Sequence, residues 1–171
     1  MVATAMSIYS DCDDFAKRHG LIYSSWGIDS RIYIRDGDTG SCDHIGNLLF
    51  LDFDDVSDEL IVFNKIALLI DDGLVKSTPD IVKSKHGYHV YFYEVFTFDN
   101  IREIFGKPYI SEYVCDAFFR TTLKLKCSVL RLSNWKKGEF SPSKLIVHGD
   151  TEDDIGRRFQ AFVRGVLNEN V

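Results

Sequence analysis

The sequence predicts an α+β fold, with a mostly antiparallel mixed sheet flanked by helices. Two observations carry that prediction. Short β-rich runs and amphipathic helical runs are mixed without strict alternation, which disfavours a parallel βαβ sheet. Turn-prone residues rather than long crossovers separate several of the β runs. The chain has 171 residues, 45% of them hydrophobic and 13% aromatic. That length and composition suit one domain spanning 1–171 with a sizeable core.

The elements follow in order. "DDFAKRHG" (13–20) reads as a helix end closed by Gly20. "LIYSSWGI" and "RIYIRD", separated by the turn-prone "DS", predict an early hairpin. "GDTGSCDHIG" reads as a loop leading into the strand "NLLFLDFD" (47–54). In "VSDELIVFNKIALLIDDG" the apolar residues recur at helical spacing, with Asp55 as a cap and Gly73 as a stop. "DIVKS" and "YHVYFYEV" are the next strands, and "FDNIREIFGK" is a short helix with Asp99 at its N-cap. "ISEYVCDAFFRTTLKLK" is more helical than extended. "CSVLRLS" and "KLIVHGD" are short strands, and "TEDDIGRRFQAFVRGVLNEN" is a closing amphipathic helix.

No apolar run approaches the roughly 20 residues of a membrane helix, and the N-terminus lacks the pattern of a secretory signal. A soluble, intracellular, cytoplasmic protein without a membrane partner is expected. The cysteines (Cys12, Cys42, Cys115 and Cys127) are widely spread, with no C-x-x-C pair, and read as reduced.

The net charge of −6 disfavours a polyanionic partner, but its distribution does not. Residues 1–80 carry 15 Asp/Glu against 6 Lys/Arg, whereas residues 120–144 carry 7 Lys/Arg against Glu139 alone. A local basic stretch steers a polyanion even when the total is negative.

Three segments carry candidate chemistry. In "NLLFLDFDD" (47–55), strand alternation puts Asp52 and Asp54 on one side, about 7 Å apart. Carboxylates held on one side repel unless a cation sits between them, and Mg²⁺ or Mn²⁺ takes oxygen ligands and shares them with phosphates. A strand end emerging into water is the alternative. In "KSKHGYHVYFY" (83–93), Lys83, Ser84, Lys85 and His86 crowd one turn, Gly87 relaxes the backbone and His89 enters a strand. The hydroxyl, the cations and free amides around Gly87 suit a triphosphate. In "SVLRLSNWKKGE" (128–139), Arg131 projects opposite to Leu130 and Leu132, with a planar fork suited to phosphate.

Taken in this order, these segments resemble the archaeo-eukaryotic primase superfamily of primases and primase-polymerases over about residues 47–140. The resemblance implies an RRM-like catalytic core in which Asp52 and Asp54 ligate metal. It implies that Ser84, Gly87 and His89 form the motif that meets the incoming triphosphate, and that "LRLSNWKK" supplies Arg131 and Lys136. Ser133 stands where the family has proline. The family's third acid is matched by Asp116 in "YVCDAFF", with Asp150 as the alternative. The implied activity is template-dependent nucleotidyl transfer by a minimal primase or DNA polymerase with two Mg²⁺ or Mn²⁺ ions. Its implied partners are a single-stranded DNA template, stacking on Trp135, and nucleoside triphosphates, with a helicase or accessory replication subunit supplied by another chain. Lys83, Lys85, His86 and Lys136 would add positive charge around the nucleotide.

A second resemblance competes. "LLFLDFDDV" is similar to the first motif of haloacid-dehalogenase-like phosphatases, with Asp52 as nucleophile and Asp54 as acid-base. Gly149, Asp150 and Asp154 in "HGDTEDDI" would then close the site. That reading leaves "SKHGYH" and "LRLSNWKK" unexplained. A catalytically inactive relative that only binds single-stranded DNA is the third possibility.

Overall fold

The computed structural model describes residues 2–4, 8–9, 27–35, 39, 41–84, 86–131 and 144–168. The strands are β1 (Val2–Thr4), β2 (Ile8–Tyr9), β3 (Gly27–Asp29), β4 (Arg31–Arg35), β5 (Cys42–Asp54), β6 (Asp80–Lys83), β7 (Gly87–Phe96), β8 (Val129–Arg131) and β9 (Lys144–Val147). The helices are α1 (Glu59–Asp71), α2 (Phe98–Phe105), α3 (Pro108–Ser111), α4 (Asp116–Leu125) and α5 (Asp154–Asn168). A six-stranded sheet runs β1-β4-β5-β7-β6-β9, and a smaller sheet runs β2-β3-β8. Every described pairing is antiparallel, so the α+β, sheet-and-helix architecture expected from the sequence is the one formed.

The central strand explains the uninterrupted apolar run. Leu49, Leu51 and Phe53 pack on one face of the sheet against Val62, Ile66 and Leu69 of α1 and Ile101, Ile104 and Phe105 of α2. Leu48 and Phe50 pack on the other face with Val82, Tyr91, Tyr93, Leu130 of β8, and Phe159 and Val163 of α5. A strand covered on both faces shows no alternation of polar and apolar residues. Asp52 breaks the run on that second face, where it is itself buried.

Local chemistry sets the helix ends. Asp58 caps α1 by accepting from the Leu60 amide at 2.9 Å. Asp55 therefore does not cap it; it takes a left-handed turn (φ 59°) at the exit of β5. Thr97 caps α2 in a reciprocal capping box with Asn100, and Asp99 instead pairs with Arg102 in the first turn.

Two further sequence expectations need correction. β3 and β4 do not form a hairpin with each other, because they belong to different sheets. Ser30, fully buried between them, donates its amide to Ser128 and offers its carbonyl to Leu48, which ties the small sheet to β5. Residues 42–46 are strand rather than loop, since β5 begins at Cys42 and pairs with β4. The helix expected to end at Gly20 lies outside the described residues.

Candidate functional site

The acid pair at the exit of β5 meets the second segment directly. Asp52 lies opposite His89 and Asp54 opposite Gly87 in the β5–β7 ladder. His89 in turn lies opposite Val82 of β6. Register thus puts Asp52 and His89 on the same face, where His89 Nε2 stands 3.4 Å from Asp52 Oδ1. Both side chains are largely buried, at 12% and 14% exposure. The His89 ring packs edge-on to Tyr91 at 6.5 Å between centroids, which fixes its orientation.

The third member of the cluster is Cys115. Its amide donates to the Asp52 carbonyl at 2.8 Å, so the N-cap of α4 is stitched to the end of β5. Ligand atoms of Asp52, Asp54 and Cys115 all lie within 4.8 Å of one another, which makes a possible metal-binding cluster. Burial pushes the Cys115 thiol up from its ordinary value, and the Asp54 and Asp52 carboxylates push it the same way against a lowering backbone hydrogen bond from Phe118. The two carboxylates suit a hard divalent ion such as Mg²⁺ or Mn²⁺, whereas sulfur is a ligand that Mg²⁺ takes poorly.

Asp116, expected as the third acid, is not part of this group. It opens α4 one position beyond Cys115, where helical rotation turns its side chain away. Its exposed carboxylate pairs with Arg120 at 2.9 Å instead. The alternative, Asp150, bridges Thr78 beyond the Asp80 end of β6, whereas Lys83 at the other end of that strand lies toward the acid pair. Asp154 pairs with Arg157 in the first turn of α5.

The turn joining β6 to β7 is closed on itself. The Ser84 amide donates to the Gly87 carbonyl at 2.9 Å, and the Gly87 amide donates to Ser84 Oγ at 3.1 Å. Neither amide is free for a phosphate, contrary to the sequence expectation; the Ser84 hydroxyl proton is still available to donate. Asp55 donates its amide to the His86 carbonyl at 2.7 Å, which binds the turn to the β5 exit. A Cβ on Gly87 would sit 1.8 Å from the Phe53 carbonyl oxygen, so close approach of β5 is what requires glycine here. Asp55, Val56, Ser57, Lys83, Ser84 and His86 line a shallow cleft of about 330 Å³ beside it. Lys83 and His86 are exposed, and Lys85 lies outside the described residues.

Arg131 ends β8, with its backbone paired to Gly27. The preceding Leu130 packs with Phe50 and Tyr91, so β8 lies over the acid-bearing face of the sheet. The Arg131 side chain, Trp135, Lys136 and Lys137 lie outside the described residues. Of the basic stretch, Arg120, Lys124 and Lys126 sit on or just after α4, and Lys144 opens β9.

Sequence reasoning missed two features of this face. Cys115 carried no signal, because a cysteine outside any ligand spacing reads as packing. Asp80 opened an apolar strand without remark, yet it is fully buried. Its carboxylate accepts from Arg164 at 2.7 and 2.9 Å, from the Tyr93 hydroxyl at 3.0 Å and from the Gly149 amide at 2.7 Å. Gln160 and Arg164 also donate to the Gly149 carbonyl, so α5 is pinned over the sheet at the Asp80 end of β6.

No protein-family model, curated protein or solved structure matches the chain. No helix among the described residues is long and apolar enough to cross a membrane.

Proposed function

We propose that the chain is a metal-dependent nucleotidyltransferase of the primase or primase-polymerase kind, acting on nucleoside triphosphates along a single-stranded DNA template. One observation carries the reading: Asp52 and Asp54 stand directly opposite His89 and Gly87. The acid pair and the proposed triphosphate motif are 35 residues apart in sequence between Asp54 and His89, yet they are ladder partners in space. A structural role for each would not require them to meet.

In this reading Asp52 and Asp54 hold a divalent ion, Mg²⁺ or Mn²⁺, which supplies charge neutralisation for the phosphates and an acidified hydroxyl nucleophile. His89, held at 3.4 Å from Asp52, turns its ring toward the same space and donates to a phosphate oxygen. The Ser84 hydroxyl donates from the turn, while Lys83 and His86 raise the positive potential at the cleft mouth. Arg131 and Lys136, and Lys85 on the turn, complete the proposed anion clamp on the strength of the sequence pattern. Phosphoryl transfer needs such positioning more than covalent help. A helicase or other replication subunit would act with this domain.

The experiment is extension and de novo synthesis on a single-stranded template with labelled nucleotides and Mn²⁺ or Mg²⁺. Incorporation should fall about a thousandfold in Asp52→Ala/Asp54→Ala with the circular dichroism spectrum unchanged. Undiminished synthesis by that variant rules out the assigned site. Template binding without any synthesis by the native chain would leave a binding protein rather than an enzyme.

A further inference from the structure

The acid pair and the thiol come together in a way that a magnesium site does not need. Cys115 Sγ lies within 4.8 Å of carboxylate oxygens from both Asp52 and Asp54. Its position is held from both sides. The Cys115 amide is bonded to the Asp52 carbonyl, and the Cys115 carbonyl accepts from Phe119 at 2.9 Å in the first turn of α4. Phe118 and Phe119 pack on Phe105 at 6.2 and 5.4 Å between centroids, which anchors that turn on α2. The thiol is therefore presented by a rigid element.

A second observation points to the same place. The Tyr91 hydroxyl is fully buried and has no hydrogen-bond partner among the described residues. It belongs to the same sheet face as Asp52, two positions along β7 from His89, with Phe50 and Asp80 as its ladder partners. A buried hydroxyl left without a partner beside an acid site marks a place where a further polar group belongs.

The geometry points to Cys115 as the third ligand of the centre and to a thiophilic divalent ion, of the Zn²⁺ and Co²⁺ class, as the ion it holds in preference to Mg²⁺. The inference rests on the reading of Asp52 and Asp54 as metal ligands. A mixed oxygen and sulfur donor set favours borderline and soft ions, because thiolate sulfur gives them a bond that a hard, strongly hydrated ion does not accept. On binding, the thiol proton passes to solvent and Cys115 ligates as the thiolate.

The test uses the full chain, stripped with a chelator and titrated with Co²⁺ while near-ultraviolet absorbance is followed. Native protein should show a saturable sulfur-to-cobalt charge-transfer band, which Zn²⁺ abolishes and a large excess of Mg²⁺ does not. Cys115→Ser should lose the band and bind Co²⁺ at least about tenfold more weakly. Cys115→Asp should also lack the band while gaining competition by Mg²⁺. Saturable Co²⁺ binding without a sulfur band, equal in native protein and Cys115→Ser, would overturn the role of Cys115 and leave the carboxylate site standing. No saturable binding of any divalent ion would overturn both the inference and the metal site beneath it.

Discussion

Asp52 on β5 and His89 on β7 are ladder partners whose side chains approach to 3.4 Å on the face of the sheet that α5 and β8 cover. The Asp52 carboxylate, on a side chain only 12% exposed, is held there next to a second one and a half-buried thiol. Removing carboxylates from water costs free energy unless charge or hydrogen bonds compensate. The proximity of His89 supplies part of that compensation, and a cation between the carboxylates would add to it.

His89→Ala should separate nucleotide binding from template binding. Loss of one charge-assisted hydrogen bond is worth about 1.5–3 kcal/mol, so nucleotide affinity should fall roughly ten- to a hundredfold. Affinity for a single-stranded oligonucleotide without nucleotide should stay within about twofold. Equilibrium binding with a labelled nucleotide and a labelled oligonucleotide measures both, and equal losses would remove His89 from the triphosphate role.

Gly87→Ala tests the packing that brings the turn against the acid strand. The added methyl meets the Phe53 backbone carbonyl oxygen at 1.8 Å, which no side-chain rotation can relieve, so β5 and β7 must part. Overpacking of this kind costs about 1–3 kcal/mol. Urea unfolding should show that loss, with nucleotide incorporation reduced further because Asp54 and Gly87 are the pair forced apart. A variant as stable and active as the native chain would contradict the close approach.

Arg164→Met isolates the buried ion pair that seats α5. The substitution leaves the Asp80 carboxylate, which is wholly buried, without its cation. Breaking one side of such a pair costs about 3–5 kcal/mol, equivalent to a fall of roughly 6–20 °C in Tm for a chain of this size. Differential scanning calorimetry measures it. Asp80→Asn combined with Arg164→Met should recover part of the loss, since the uncompensated charge is then gone.

Binding to single-stranded DNA should depend steeply on salt although the chain carries a net charge of −6. About four phosphate contacts from the basic stretch would weaken affinity roughly a hundredfold between about 50 and 200 mM salt. Fluorescence anisotropy across that range gives the slope, and a flat response would detach the 120–144 region from the template.

Most elements were legible because periodicity reports burial. Helical spacing that included Ile66 and Leu69 marked α1, and the amphipathic pattern of the closing segment marked α5, since one face of each had to meet the sheet. The run from Leu48 to Leu51 marked a strand covered on both sides. Helix caps were less legible. Asp55, Asp58, Thr97 and Asp99 are all competent cap residues, and which one serves depends on where the chain turns.

The D-x-D pair, the Ser-Lys-His-Gly turn and their order along the chain were properties of the sequence alone, as was the lopsided charge. Their meeting was not. Strand alternation puts Asp52 and Asp54 on one side, but only the antiparallel register of β5 on β7 decides that His89, rather than a neighbour, stands opposite. Replacement of Asp116 by Cys115 in the cluster was likewise decided in three dimensions. One residue of helical rotation at the start of α4 turns the thiol inward and the carboxylate toward Arg120, and no linear spacing encodes which of two adjacent side chains will face the acids.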